Sequence, residues 1–518
     1  MSYGSIEDNS SPPNRRSDTL ILLNRAKNNI KGWYFYSFSS EPFVVSAVST
    51  YIPLLLEQFA RINGVTVGDH SVKCTPDDDK CVLGLFNNRI FVDTSSFALY
   101  TFSMSVFIQT IVVITVSGLV DVWKTVKFKS RVLVGFGLLG STSVVLISQL
   151  SLEQYYSLAL LYIIANTCYG VVNVVGNSLL PVFVSDLVQY GPDNQESNTE
   201  SLTTAISGKG ASIGYSGALL VQIFSMWLVK RSKSQDNIQI AVLFVGIWWI
   251  CWQSPMTWLL QDVRPTLLPA SDRITPGTGS QAPTSFKPRM LKYGWLSLFE
   301  SLKHARLLRD MVIFLVGWFI VSDSLTTINS AAILFARTEL KMSTLSLILI
   351  SILTMISAIM GAFFIPNYIS RKFNLSPQRT LIYIICWSSL IPFYGTMGFL
   401  FKDFGLKHPV EMFIMAVWYG ISVGGVAAVS RSLFSLIIPK GKESTFFSLF
   451  SVTDKGSSIV GPLLIGFITD KTHEIRYSFY LLFALLALSL PIFNSIRLDR
   501  AKVSATELNR VEAEALDL

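Results

Sequence analysis

Twelve stretches of this chain are long enough and apolar enough to cross a lipid bilayer, and no other property restricts its fold so severely. A spanning helix needs about 20 mostly apolar residues, because the hydrocarbon core is about 30 Å thick. The runs lie at about 34–59, 92–120, 131–150, 157–181, 207–229, 238–260, 311–336, 343–369, 379–401, 410–438, 444–469 and 476–496. The first, seventh and eleventh are the weakest runs, carrying Glu41, Asp323 and Asp454–Lys455. At 518 residues the chain could hold about three soluble domains. Composition argues against that: hydrophobic residues are 50% and charged residues 15%, against a norm of about 25% charged. The 35 phenylalanines outnumber the 34 acidic residues, so too little charge is present to cover a soluble surface of this size. An integral membrane protein is the class that remains. The net charge of +8 comes from 42 Lys and Arg that punctuate apolar runs instead of forming one patch, which excludes a basic nucleic-acid binder.

The expected layout has five parts. Residues 1–31 are a polar, basic cytosolic tail whose only apolar run, Leu20–Leu23, is too short for a signal peptide. Residues 32–261 form an N-terminal six-helix half, 262–309 a cytosolic link, 310–496 a C-terminal six-helix half, and 497–518 a charged cytosolic tail. With the N-terminus in the cytosol, cytosolic segments carry 26 Lys and Arg, opposite loops 13, and the spans three (Lys209, Arg431, Lys455). That bias sets both termini on the cytosolic side. The link begins with a Pro/Ser/Thr/Gly-rich stretch to about 288, expected to be disordered. Beyond it, Leu291, Trp295, Leu298, Phe299 and Leu302 share one helical face. Such a helix either lies in the membrane interface or packs on the protein body.

Three short matches between the halves fall in register. Gly32-Trp33-Tyr34 returns as Gly317-Trp318-Phe319, Tyr169-Gly170 as Tyr419-Gly420, and Lys209-Gly210-Ala211-Ser212-Ile213 as Lys455-Gly456-Ser457-Ser458-Ile459. They pair spans one and seven, four and ten, five and eleven. Two six-helix repeats in parallel, with a site at their interface, are the layout of major facilitator transporters. The expected fold is therefore an all-α membrane protein of twelve transmembrane helices in two pseudo-symmetric halves. Gly210 and Gly214 are expected to serve close helix packing, since no strand precedes them to make a dinucleotide loop.

Longer segments carry a more specific resemblance. Residues 32–43, Val175-Gly176-Asn177-Ser178-Leu179-Leu180-Pro181, Lys442-Glu443-Ser444-Thr445-Phe446-Phe447-Ser448 and Asp454-Lys455-Gly456-Ser457-Ser458 resemble the fungal autophagy-related protein 22 family. The resemblance runs from about residue 25 to 496 and implies a vacuolar membrane protein that returns amino acids from autophagic breakdown to the cytosol. The superfamily's loop signature after the second span is met at Asp121 but not at Lys124 or Thr125. Asp121, Lys209 and Lys455 are expected in gating or packing roles.

Enzyme signatures are missing: there is no G-x-S-x-G, H-E-x-x-H or P-loop, and the four histidines lie far apart in loops. Neither a metal site nor a cofactor is expected, and without an ATP site transport must run on gradients. Polar residues inside spans are costly and usually face a cavity or a partner. The first span sets Ser37, Glu41 and Val48 on one face, and Pro42 frees the carbonyl of Phe38. The fourth carries Asn166, Tyr169, Asn173 and Asn177; the seventh Asp323, Thr326, Thr327, Asn329 and Ser330; the tenth Tyr419, Ser422, Ser430 and Arg431. In the major facilitator layout these four helices line the cavity. Substrate-binding candidates are Glu41, Tyr169, Asn173, Asn177, Asp323, Thr327, Asn329, Tyr419 and Arg431, with the aromatic rings suiting apolar side chains.

Alternatives stay open at several of these positions. Glu41 either binds substrate or pins the halves together through Lys209 or Arg431. Asn173 and Asn177 are either ligands or helix–helix glue. Asp323, near mid-bilayer, is the expected proton-coupling carboxylate, with Glu41 as its rival. Cys74 and Cys81 share the first loop, where a disulfide could persist; two free thiols are the alternative. Cys168, Cys251 and Cys386 fall in spans as inert packing residues. Asp18-Thr19-Leu20-Ile21-Leu22-Leu23 fits an acidic dileucine signal for a sorting adaptor, or an incidental apolar patch. The expected function is proton-coupled export of neutral, apolar amino acids by a monomer. A vacuolar lipid scramblase or structural membrane protein is the alternative; it needs a polar groove open to lipid.

Overall fold

A computed structural model describes the chain except residues 1–14, 67–69, 71, 75–80, 87, 124, 192–198, 232–236, 264–293, 297–298, 300–307, 402–403, 458–459, 473 and 517–518. Lipid offers the backbone no hydrogen-bond partner, so the apolar runs close their N–H and C=O groups within helices. The first span is composite: helix Arg15–Pro42, a wide π-helical stretch Phe43–Tyr51, and helix Ile52–Ile62. Helices Thr94–Trp123, Val126–Ile147, Tyr155–Tyr190, Thr199–Arg231 and Asn237–Gln253 complete the N-terminal half. In the C-terminal half follow Arg309–Thr338, Thr344–Phe364 with a π turn to Ile369 and a last turn Ser370–Lys372, Pro377–Met397 and Pro409–Ile437. The eleventh run is covered by two helices, Glu443–Ser457 and Val460–Thr472, and the twelfth by Ser478–Asn494. Eleven described segments are long and apolar enough to cross a membrane singly, and the eleventh run is described on either side of residues 458–459.

Twelve crossings return both termini to one face of the bundle. There the first helix starts at Arg15, so the second half of the expected tail is helical and continuous with the first span. The dileucine stretch lies in this helix. A C-terminal helix, Leu498–Leu516, lies on the same face and buries Leu498, Ala501, Ala505 and Leu508. Its Arg500 binds Asp310 at the start of the seventh span through two hydrogen bonds of 2.6 and 2.7 Å, and that carboxylate raises the guanidinium's pKa. Lys502 pairs with Glu200 of the fifth span at 2.6 Å, so the helix grips both halves.

The opposite face adds structure the sequence did not announce. Strands β1 (Val65–Thr66), β2 (Cys81–Leu85) and β3 (Ile90–Asp93) form an antiparallel sheet in that order. Cys74 and Cys81 are disulfide-bonded with Cα atoms 6.0 Å apart, and His70 stacks on Phe91. Of the cysteines expected to pack inside spans, only Cys168 does; Cys251 and Cys386 are exposed on the outer surface. Gly294 and Trp295 of the link pack on the second span, where the indole donates to Thr115 Oγ1 at 3.1 Å. Leu296 and Phe299 beside them remain exposed, so this segment meets both the protein and its surroundings.

Candidate functional site

Pro42 shapes the first span as its chemistry requires. The ring removes an N–H from the ladder and the helix widens after it. The freed carbonyl of Phe38 accepts from Trp248 Nε1 at 3.0 Å, which ties the kink to the sixth span. One turn earlier, Trp33 Nε1 donates to the carbonyl of Gly176 at 2.7 Å, and Tyr36 Oη donates to Asn177 Oδ1 at 3.2 Å. Asn177 Nδ2 continues to Asn173 Oδ1 at 3.0 Å, and Asn173 Nδ2 to Tyr169 Oη at 3.2 Å. The three fourth-span residues therefore form a hydrogen-bonded ladder anchored on the first span, and their amides are spent on one another. The fifth span comes close because Gly210 faces Trp33, while a Cβ on Gly214 would lie 3.1 Å from Ser37 Cβ.

Above this ladder the two halves face each other across a set of charges. Arg431 of the tenth span acts most strongly on Glu41, Lys455 of the eleventh next. Lys209, the other expected partner, is exposed and does not take part. Neither Glu41 nor Arg431 forms an ion pair within 4 Å among the described residues. The guanidinium instead lies 5.9 Å from the Trp33 ring, with its buried Nη1 unbonded. The pairing of Glu41 with Arg431 that would pin the halves together is thus not formed among the described residues. Tyr215 of the fifth span stands in the field of Glu41, Arg431 and Asp454, and Tyr36 and Tyr169 in that of Glu41 and Arg431. Two opposite charges lined by aromatic rings, with neither charge neutralised by contact, can hold a dipolar molecule.

Asp323 is placed elsewhere. Its carboxylate is 3% exposed and accepts the backbone N–H of Gly461 at 2.8 Å, in the first turn of Val460–Thr472. Among the described residues no charged side chain pairs with it. Its neighbour Ser322 donates to Asp454 Oδ1 at 2.6 Å, in helix Glu443–Ser457 of the same run. The seventh span thus contacts both described helices of the eleventh run. Thr327 is fully buried beside Gly461, whereas Thr326, Asn329 and Ser330 are exposed and Asn329 is not brought to the charged set. Tyr419 donates to the carbonyl of Leu325 at 2.8 Å, bracing the tenth span on the seventh.

Toward the face bearing the termini, the halves are sealed. Asp121 accepts the N–H groups of Ser444 and Thr445 at 3.0 and 2.7 Å, a carboxylate at a helix N-terminus where its charge is favoured. Buried Lys129 lies 3.9 Å from Asp121 and 3.6 Å from Glu443. Ser444 donates to Ser178 at 3.0 Å, Thr204 and Ser432 share a hydrogen bond of 2.8 Å, and Ser207 donates to the carbonyl of Ala428 at 2.7 Å.

Of the expected residues, Glu41, Arg431, Lys455 and Tyr169 fall in one electrostatic set, Asn173 and Asn177 bond to Tyr169 and to each other, and Asp121 lies at a contact between the halves. Tyr36, Tyr215 and Asp454 stand in the same set and are not among the substrate-binding candidates read from the sequence. Tyr36 was available as Glu41 less five, off the polar face; Tyr215 has no tyrosine at the repeat-related position 461 to draw attention to it.

Comparison with known proteins agrees with this architecture. A family profile described as "Vacuole effluxer Atg22 like" matches residues 25–506. Autophagy-related protein 22 of Vanderwaltozyma polyspora is 64% identical over 521 residues, covering 99% of both chains. Its counterpart in Saccharomyces cerevisiae is 59% identical over 532 residues, again covering 99% of each. Among solved structures, a bacterial homologue of the iron transporter ferroportin in an outward-facing state has a TM-score of 0.59 at 12% identity, over 90% of this chain and 98% of that one. The major facilitator proton:xylose symporter XylE reaches 0.58 at 12% identity, over 97% of this chain and 99% of its own. At such low identity these two likenesses establish the major facilitator fold and nothing finer.

Proposed function

The chain belongs to the Atg22-like vacuole effluxers, and on that footing we propose that it exports zwitterionic amino acids with apolar side chains from the vacuole to the cytosol. The observation that carries the reading is the facing, unbonded pair Glu41 and Arg431. Charges inside a membrane protein are costly unless something offsets them. A zwitterion offsets both at once: its carboxylate meets the Arg431 fork and its ammonium meets Glu41. The ring faces of Trp33, Tyr169 and Tyr215 suit an apolar side chain over a charged one. Glu41 is also the exchangeable carboxyl in this space, which makes it the candidate proton carrier in place of Asp323. Protonated from an acidic lumen, Glu41 still accepts from the ammonium through its carbonyl oxygen while Arg431 holds the carboxylate. Proton and amino acid therefore cross together, and Glu41 passes its proton to the cytosol after the substrate has left. Both termini, and with them the sealed face, lie on the cytosolic side in this reading, so substrate enters from the lumen.

Efflux from proteoliposomes loaded with each of the twenty amino acids, with and without a lumen-acid gradient, tests the proposal. The expected result is gradient-stimulated release of Leu, Ile, Val, Phe and Tyr, with Asp, Glu, Lys and Arg retained. Equal release of charged and apolar substrates would remove the Glu41–Arg431 assignment. Fluorescent-lipid flipping in the same vesicles without amino-acid release would favour a scramblase.

A further inference from the structure

A cavity away from the charged set opens where the halves meet on the face bearing the termini. Its volume is about 770 Å³. One wall carries Lys27 of the first helix and Ser201 of the fifth span; the other carries Arg371, Asn374 and Ser376 at the junction of the eighth and ninth spans. Lys27 and Arg371 are both exposed and, among the described residues, neither has an ion-pair partner. The one acid in the lining, Glu200, is already neutralised by Lys502 at 2.6 Å. The cavity therefore holds two uncompensated cations, one from each half. The ninth span begins at Pro377 with Ser376 as its cap, and so turns the positive end of a 21-residue helix toward them.

The surroundings are apolar. Leu20 and Ile21 on the first helix are 59% and 44% exposed, and Tyr368, Ile369 and Phe373 on the eighth-span segment are 60%, 45% and 63% exposed. These residues adjoin the lining in sequence and stand at span ends, the level of lipid headgroups, where aromatic side chains anchor at the interface. A soluble anion would make no use of them. An amphiphile with a phosphate head would use both features.

We propose that this cavity is a binding site for the phosphate headgroup of an anionic membrane phospholipid, held between Lys27 and Arg371 with its acyl chains against Tyr368, Ile369 and Phe373. The site takes the cytosolic leaflet if the termini are cytosolic, but the chemistry does not depend on the transported substrate. A phosphate accepting from a guanidinium and an ammonium makes charge-assisted hydrogen bonds, which phosphatidylcholine's own choline partly neutralises.

The test uses full-length purified protein in detergent, titrated with phosphatidylinositol, phosphatidylserine or phosphatidylcholine and followed by thermal unfolding and by native mass spectrometry. Wild-type protein should be stabilised and should retain at least one copy of either anionic lipid, with phosphatidylcholine weaker by roughly tenfold or more. The Lys27→Ala/Arg371→Ala double variant should lose that preference, and Lys27→Arg/Arg371→Lys should keep it. If the alanine variant is too unstable to purify, Lys27→Gln with Arg371→Gln in lipid nanodiscs gives the same comparison. Equal retention of all three lipids by wild type, or an unchanged anionic preference in the neutral variants, overturns the site. Stabilisation by inorganic phosphate or a water-soluble inositol phosphate at concentrations where the lipids do nothing overturns the membrane source.

Discussion

At the level of single residues, charge inside apolar runs is legible in the sequence, and the contacts that each charge makes are not. Glu41, Arg431 and Lys455 were visible because ionisable groups in spans are rare. Asp323 met the same criterion, yet its carboxylate is spent on the Gly461 N–H, a contact 138 residues away in sequence that no local pattern reveals. The two acids therefore separate by mutation. Glu41→Gln should abolish stimulation of efflux by a lumen-acid gradient while leaving substrate exchange measurable. Asp323→Asn retains an acceptor oxygen for Gly461 and should keep that stimulation. Loss of stimulation in the Asp323 variant alone would return the proton to the seventh span. Arg431 should not tolerate lysine either, because an ammonium cannot make the planar fork to a carboxylate. Losing one charge-assisted hydrogen bond, about 1.5–3 kcal/mol, would weaken substrate binding roughly tenfold or more. Near-normal apparent affinity for leucine in Arg431→Lys would exclude a bidentate contact.

Among helices, the repeat pairs spans five and eleven in sequence, while the contacts each makes with its partner span differ. Gly214 packs closely on Ser37 of the first span, whereas the repeat-related turn of the eleventh run meets the seventh span through a hydrogen bond from the Gly461 N–H to Asp323. The offset of 285 that aligns Gly32 with Gly317 also aligns Phe38 with Asp323, and Phe38 offers no side-chain acceptor. The repeat was legible; this contact was not, because it depends on one residue of the partner helix. Asp323→Leu should therefore remove a buried hydrogen bond and cost about 1–3 kcal/mol. It would show as a lower melting temperature of the detergent-solubilised protein, with Asp323→Asn close to wild type. Identical melting of the leucine and asparagine variants would mean that the carboxylate does not stabilise the contact between the seventh and eleventh spans. Tight packing tests the first and fifth spans in the same way. Gly210→Leu has no room against Trp33 and should reduce folded yield, whereas Lys209→Gln, at an exposed position, should not.

Across the whole molecule, the twelve runs and the register of their repeats were enough to reach a two-half transporter, because hydropathy and span length are properties of the chain alone. The state of the halves was not legible, since it depends on contacts between residues hundreds of positions apart. Asp121 with Ser444 and Thr445, Thr204 with Ser432, and Ser207 with Ala428 all join the two halves toward one face. If transport proceeds by alternating access, each of these contacts must break once per cycle. Their energies are individually small, about 1 kcal/mol for a neutral hydrogen bond, which suits a seal that has to reopen. A covalent bond at the same place should not reopen. The hydroxyls of Thr204 and Ser432 meet at 2.8 Å, which makes the Thr204→Cys/Ser432→Cys pair a direct probe. Oxidation of the double variant should stop amino-acid efflux, reductant should restore it, and neither single variant should respond. Protein that is fully cross-linked by mass spectrometry yet still exports at the reduced rate would mean that these two helices never part, and that substrate leaves by a route other than the interface between the halves.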